Sequence, residues 1–121
     1  MEQHNEVPRS LLTVVNRLYE LERQSLDIGN VPEPLQRGIR RVREAVEEYG
    51  LTWEDPQGWP FNETRTDLEA SISGESTEDL VVVDVIKPII RKRLPDGPTG
   101  TSRIVQPGVV IVKSSTESSR Q

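Results

Sequence analysis

The stretch LQRGIRRVREAVEEYGL, residues 35–51, decides the fold of the first part of the chain. Its apolar residues are spaced four, three, four and three apart, which is a heptad pattern on one face of a helix. Arginines and glutamates occupy the other faces, so a second helix must cover the apolar stripe. The stripe consists of Leu35, Ile39, Val42, Val46 and Tyr49.

Two glycines mark this helix. Gly50 directly follows the last periodic residue and is the expected helix stop, because glycine adopts the left-handed C-cap conformation without steric cost. Gly38 lies inside the helix, where glycine costs about 1 kcal/mol relative to alanine. Gly38 therefore indicates either a close crossing with another helix or a functional contact.

The partner for this helix precedes it in the sequence. A second apolar stripe begins after Pro8, and the segment DIGNVPEP, residues 27–34, predicts a turn between the two helices. The first part of the chain is therefore expected to be a helical hairpin. Its first stripe consists of Leu11, Val14, Val15, Leu18 and Leu21.

One hairpin buries only part of each stripe, and full burial of a leucine side chain stabilises a fold by about 1.5–3 kcal/mol. Two hairpins that pair into a four-helix bundle would cover both stripes. We therefore expect a homodimer, with a seam formed by Leu11, Val15, Leu18, Leu35, Ile39, Val42 and Val46.

The rest of the chain predicts β structure. Residues 53–67 are a connector rich in proline and aromatic residues, and residues 68–113 change to a strand-like period with a long exposed turn at 91–102. Residues 114–121 are expected to form a disordered tail. The predicted fold class is α+β: a helical hairpin at residues 1–52, which becomes a four-helix bundle on dimerisation, followed by a small, mostly antiparallel, all-β domain.

The composition argues against several classes of function. The net charge of −5 gives no general support for binding nucleic acid, although positive residues concentrate at 37–43 and 91–93. Cysteine is absent and the only histidine is His4, so neither a hydrolytic triad nor a thiolate metal site can be assembled. No apolar run reaches the roughly 20 residues of a membrane span. We expect a cytoplasmic protein that is not an enzyme, uses no cofactor or metal, and binds neither nucleic acid nor membranes.

Four motifs lie in order over about 100 residues: LLTVVNRLYELER at 11–23, the second helix at 35–50, GWPF at 58–61 and RIVQPGVVIVK at 103–113. Together they resemble the GrpE family, the nucleotide exchange factors of DnaK-class chaperones. The last motif is the most specific of the four. The matching residues are Leu11, Leu12, Val15, Asn16, Leu18, Glu20, Leu35, Gly38, Ile39, Tyr49, Gly50, Gly58, Pro60, Phe61, Arg103, Pro107, Val110 and Val112.

The resemblance implies a function. A GrpE-like chain would bind the ATPase domain of a DnaK-like chaperone as a homodimer and promote release of ADP, by wedging the nucleotide cleft open with its β domain. By the same resemblance, the partner-binding residues would be Arg37, Gly38, Arg40, Arg103, Pro107 and Val110. For Arg103, an ordinary charge on an edge strand remains an equal alternative.

The chain also departs from the family. The long N-terminal helical stalk has no counterpart here, since ten residues precede Leu11, and both a shortened chain and a stalkless relative fit this. Arg37 and Arg40 stand where the family usually carries glutamates, which reverses the charge of a face expected to touch the chaperone. The alternative hypothesis is therefore a GrpE-fold interaction or scaffolding module without exchange activity. A simpler interpretation pairs the two arginines with Glu44 and Glu47 on an exposed helix face.

Overall fold

The computed structural model describes residues 7–118, and this part of the chain confirms the predicted α+β class. Two helices come first and two small three-stranded sheets follow. The predictions for His4 and for residues 119–121 lie outside the described residues. The elements are α1 (Arg9–Ile28), α2 (Glu33–Tyr49), β1 (Leu51–Glu54), β2 (Leu68–Ile72), β3 (Leu80–Lys87), β4 (Ile89–Arg93), β5 (Ser102–Gln106), β6 (Gly108–Ser114) and α3 (Ser115–Ser118).

The chain divides into two compact units. The first unit comprises the residues up to Thr52 together with Lys92–Arg103, and the second comprises Trp53–Arg91 together with the residues from Ile104 onward. The hairpin and the long turn between β4 and β5 therefore belong to the first unit. The sheet of β2, β3 and β6 belongs to the second.

The hairpin has the predicted order with a shorter turn. Helix α1 continues to Ile28 and α2 begins at Glu33, so residues 29–32 make the turn. Gly29 has φ 92°, and its N–H donates to the Ser25 carbonyl at 3.1 Å, which closes α1. Gly50 adopts the predicted left-handed conformation with φ 113°, and its N–H donates to the Glu47 carbonyl at 2.9 Å.

The first unit has a small core. Its buried apolar residues come from both helices and from the start of β1, so the two helices cover each other along one line only. Three of the seven predicted seam residues are buried within the single chain, namely Val15, Leu18 and Val46. Among the described residues of this unit, the buried apolar ones are Val15, Leu18, Tyr19, Val46 and Leu51.

The second unit is built around β6, which lies between β2 and β3. Residues of β6 alternate between buried and half-buried, and Val110 and Val112 are essentially inaccessible. Strand β3 runs antiparallel to β6, with Val82 opposite Val112, whereas β2 runs parallel to β6. In this sheet the predicted antiparallel pairing is therefore found between β3 and β6 but not between β2 and β6. Parallel pairing is possible because a long connection separates β2 from β6 in the sequence.

The second sheet has the order β1-β4-β5. Strand β1 crosses the predicted boundary between the hairpin and the connector, and the sequence pattern does not predict it, although Leu51 and Trp53 are buried and alternate with exposed neighbours. Pro88 separates β3 from β4, because proline has no N–H to donate to a sheet. Strand β4 continues to Arg93, and the turn is correspondingly shorter than the predicted 91–102.

Candidate interaction surfaces

One side of the hairpin carries an open groove with an almost wholly apolar lining and a volume of about 530 Å³. Leu35 is 58% exposed and Val42 is 45% exposed, although both belong to the predicted seam. A helix surface this apolar needs a covering partner if the stripe is to be buried. We call this surface the apolar groove; it is lined by Thr13, Val14, Arg17, Leu18, Leu21, Leu35, Gly38, Ile39 and Val42.

Another line of contact between the helices is polar. Arg43 of α2 donates through one nitrogen to both carboxylate oxygens of Glu22 of α1, at 2.7 and 2.8 Å, and through Nε to Glu47 at 3.2 Å. These side chains are partly buried, where charge-assisted hydrogen bonds are stronger than at the open surface. Arg43 therefore ties α1 to α2 by an ion pair.

Gly38 lies in the apolar groove with open space beside it. A Cβ built on Gly38 meets no atom within 4 Å, so α1 does not cross α2 closely at this point. A close crossing at Gly38 is therefore not made by the two helices of the hairpin, and a crossing with a helix of another chain stays a prediction. Gly38 is an exposed helical glycine in the lining of the apolar groove.

Arg37 and Arg40 lie away from Gly38 on the same helix. At about 100° per residue, Arg37 is about 100° and Arg40 about 200° around the helix from Gly38. Both arginines reach one carboxylate oxygen of Glu33, at 3.7 Å each, rather than Glu44 or Glu47. All three side chains are more than half exposed, and such pairs contribute little to stability. The predicted partner-binding residues of α2 therefore do not share one face.

Positive side chains gather at the long turn between β4 and β5. Lys92 and Arg93 of β4 and Arg103 of β5 line a cleft of about 160 Å³. The only acidic residue in its lining is Asp96. We call this the basic cleft; it is lined by Lys92, Arg93, Leu94, Pro95, Asp96, Gly97 and Arg103.

The remaining predicted contact residues lie in the second unit. Pro107 separates β5 from β6 and is half-buried. Val110 is 1% exposed in the middle of the central strand, so its side chain contributes to the core and presents no surface to a partner. Its neighbours Val109 and Ile111 point to the other side of the sheet and are half-buried. Of these positions, Pro107 offers more surface than Val110.

An ion pair fastens the segment that leads into β2. Arg65 donates through Nε and Nη2 to the two carboxylate oxygens of Asp67, at 3.0 and 2.9 Å, and its guanidinium carbon lies 5.1 Å from the centre of the Trp59 ring. The hydrogen bond from Arg65 lowers the pKa of Asp67, and the same bond raises the pKa of Arg65. This pair holds the aromatic connector close to the start of β2.

Within residues 7–118, no group of three or more histidine, cysteine, aspartate or glutamate side chains is arranged to hold a metal ion. In the same range, no helix is both long enough and apolar enough to span a membrane.

Sequence reasoning identified the stripes that line the apolar groove, but it did not place Lys92 and Arg93 beside Arg103. The basic run at 91–93 was the sequence signal for this cleft. It could not be recognised as part of a cleft without the folded turn, which brings residues ten positions apart together.

We compared the chain with protein-family models, curated proteins and solved structures, and none of them matches it.

Proposed function

We propose that this chain is a GrpE-like adenyl-nucleotide exchange factor: a cytoplasmic homodimer that binds the ATPase domain of a DnaK-like chaperone and promotes release of ADP. The observation that carries the proposal is a helical hairpin with one open apolar face, followed by a small β domain in the order the resemblance implies. The four motifs, of which RIVQPGVVIVK is the most specific, support the same assignment.

The apolar groove supports the homodimer. Its lining is apolar over both helices, and Leu35 and Val42 are exposed in the single chain. A second copy presents the same surface, so two hairpins related by a two-fold axis can cover each other. Gly38 then lies at the interface, where the missing side chain lets two backbones approach closely.

Exchange of this kind needs no reactive side chain. A protein that binds the open, nucleotide-free form of the ATPase domain more tightly than the ADP-bound form shifts the population toward the open form. The size of the shift is limited by the ratio of the two affinities. Arg37, Arg40, Arg103 and Pro107 are accessible enough to take part in such contacts.

The experiment measures binding of the chain to a DnaK-like ATPase domain with and without ADP, by isothermal titration calorimetry. The proposal expects binding that is at least tenfold tighter to the nucleotide-free domain, a difference of about 1.4 kcal/mol. Equal affinities for the two forms would contradict it, because a ligand without differential affinity shifts no equilibrium.

A second candidate function is an interaction or scaffolding module without exchange activity. Arg37 and Arg40 favour it, because they put two positive charges around Glu33 on an exposed face of α2 where the family usually carries glutamates. Binding without preference between the two nucleotide states is the result expected for such a module.

A further inference from the structure

The basic cleft is built on a rigid frame. In the turn, the Leu94 N–H donates to the Thr101 carbonyl at 2.9 Å and the Thr101 N–H donates to the Pro98 carbonyl at 3.0 Å. A Cβ on Gly97 would lie 3.2 Å from the Cβ of Thr101, so the two sides of the turn pack together. Two prolines further restrict the backbone. The backbone of the turn therefore loses little conformational freedom when a ligand binds to the cleft.

Lys92 and Arg93 are fixed at the end of α2. The Arg93 N–H donates to the Gly50 carbonyl at 2.8 Å, and the Lys92 ammonium lies 5.4 Å from the centre of the Tyr49 ring. Both charged heads lie within 4 Å of the point where a Cβ on Gly50 would sit. The negative end of the helix dipole is worth about half an elementary charge, so it offsets only part of these two positive charges.

The surplus positive charge contrasts with the whole chain, whose net charge is −5. That net charge opposes a long nucleic acid, whose phosphates would meet the acidic remainder of the surface. A volume of about 160 Å³ accommodates one or two carboxylate side chains, and Leu94 and Pro95 add apolar wall beside the charges. These features fit glutamate or aspartate side chains that project from a protein segment with a neighbouring apolar residue.

We infer that the basic cleft formed by Lys92, Arg93 and Arg103 is a docking site for an acidic peptide segment of a partner protein. The cleft shares Arg103 with the proposed chaperone contact. Its test uses no chaperone, so a failure of this inference is distinguishable from a failure of the proposed function.

The test uses a fluorescein-labelled synthetic peptide in which glutamates alternate with glycines around one leucine. Its fluorescence polarisation is measured against the full chain at about 20 mM and about 300 mM salt. We expect saturable binding at low salt that weakens at least fivefold at high salt, with amide shifts in the NMR spectrum confined to residues 92–103 and their neighbours. A peptide with glutamine in place of glutamate should not bind. Equal binding of the two peptides, or no binding at millimolar concentration, would overturn the inference.

Variants separate docking from a purely structural role. Lys92→Gln with Arg93→Gln, and Arg103→Gln alone, should each weaken binding at least tenfold. Arg9→Gln, which removes one exposed positive charge at the start of α1, is the matched control and should leave binding unchanged. Because Lys92 and Arg93 also lie at the end of α2, thermal unfolding of each variant is measured alongside. A variant that loses stability but keeps its affinity for the peptide would overturn the inference. Displacement of the peptide by micromolar pyrophosphate would also overturn it, because the cleft would then be a site for free phosphate.

Discussion

A methyl group added at Gly108 would lie 2.8 Å from Cδ2 of Leu68 and 3.0 Å from Cγ1 of Ile89. Both side chains are buried, so they have little room to move away. A methyl group added at Gly38 would meet nothing. Gly108 is therefore required by close packing, whereas Gly38 is not required by any contact within the chain. The sequence alone does not show this difference.

Gly108→Ala is expected to lower the free energy of unfolding by about 1–3 kcal/mol, the usual cost of overpacking a core. Gly38→Ala is the contrasting variant: within the single chain it is expected not to destabilise α2, since alanine is favoured over glycine in a helix by about 1 kcal/mol. In the proposed dimer, where Gly38 lets two backbones approach closely, the same substitution is expected to weaken association. Urea denaturation followed by circular dichroism measures both changes. A Gly108→Ala variant as stable as the unmodified chain would mean that β6 can shift away from Leu68.

The Arg65–Asp67 pair makes stability depend on pH. The pKa of Asp67 is lowered in the folded chain, so its carboxylate stabilises the fold at pH values above its unfolded pKa of about 4. That contribution is lost as the pH falls from about 4 through the lowered pKa of the folded state. Asp67→Asn should therefore lower stability at pH 7 and flatten the acid side of the stability profile.

Asp27→Asn, at an exposed position near the end of α1, is the control for the loss of one negative charge. Thermal unfolding between about pH 2 and pH 7 compares the two variants with the unmodified chain. If the Asp67→Asn variant kept the full acid dependence, the titrating groups responsible would lie elsewhere.

At the scale of the element, the residues of the predicted seam are of two kinds, buried and exposed, although the heptad pattern does not distinguish them. Val46 is 7% exposed and packs within the hairpin, whereas Val42 is 45% exposed in the apolar groove. The periodicity predicted both helices and their order because burial of one face follows directly from the spacing. It could not divide the stripe into residues that the chain itself buries and residues that stay exposed, since both use the same residue types.

This division predicts two different outcomes for the same substitution. Val46→Asp should unfold the hairpin, because an unpaired buried carboxylate costs several kcal/mol. Val42→Asp should leave the hairpin helical but dissociate the proposed dimer. Far-UV circular dichroism and sedimentation equilibrium measure the two effects. A single-chain mass of 13.7 kDa for the unmodified protein at tens of micromolar would contradict the dimer.

The positive face of α2 gives a prediction about partner choice. If Arg37 and Arg40 contact the ATPase domain, their partner surface must be acidic, since like charges across an interface can cost several kcal/mol. Arg37→Glu with Arg40→Glu should then improve binding to a standard bacterial DnaK at least tenfold and weaken binding to the native partner. Dissociation constants at two salt concentrations measure both effects. If the arginines serve only Glu33, neither affinity changes.

At the scale of the whole molecule, the sequence predicted a hairpin followed by a β domain. It did not predict β1, because four residues are too few to establish an alternating pattern, nor the parallel pairing of β2 with β6. Pairing between distant strands depends on packing rather than on local pattern. The basic cleft escaped prediction for the same reason, since Arg103 meets Lys92 and Arg93 only through the folded turn.

The most direct test of the proposed function is the rate of ADP release from a DnaK-like ATPase domain. Stopped-flow fluorescence follows labelled ADP as it is displaced by excess unlabelled nucleotide, at increasing concentrations of the chain. The rate constant is predicted to rise with the concentration of the chain and then saturate, because the bound chain favours the open form. A rate constant that stays unchanged, when binding of the chain to the same ATPase domain has been demonstrated, would contradict exchange activity.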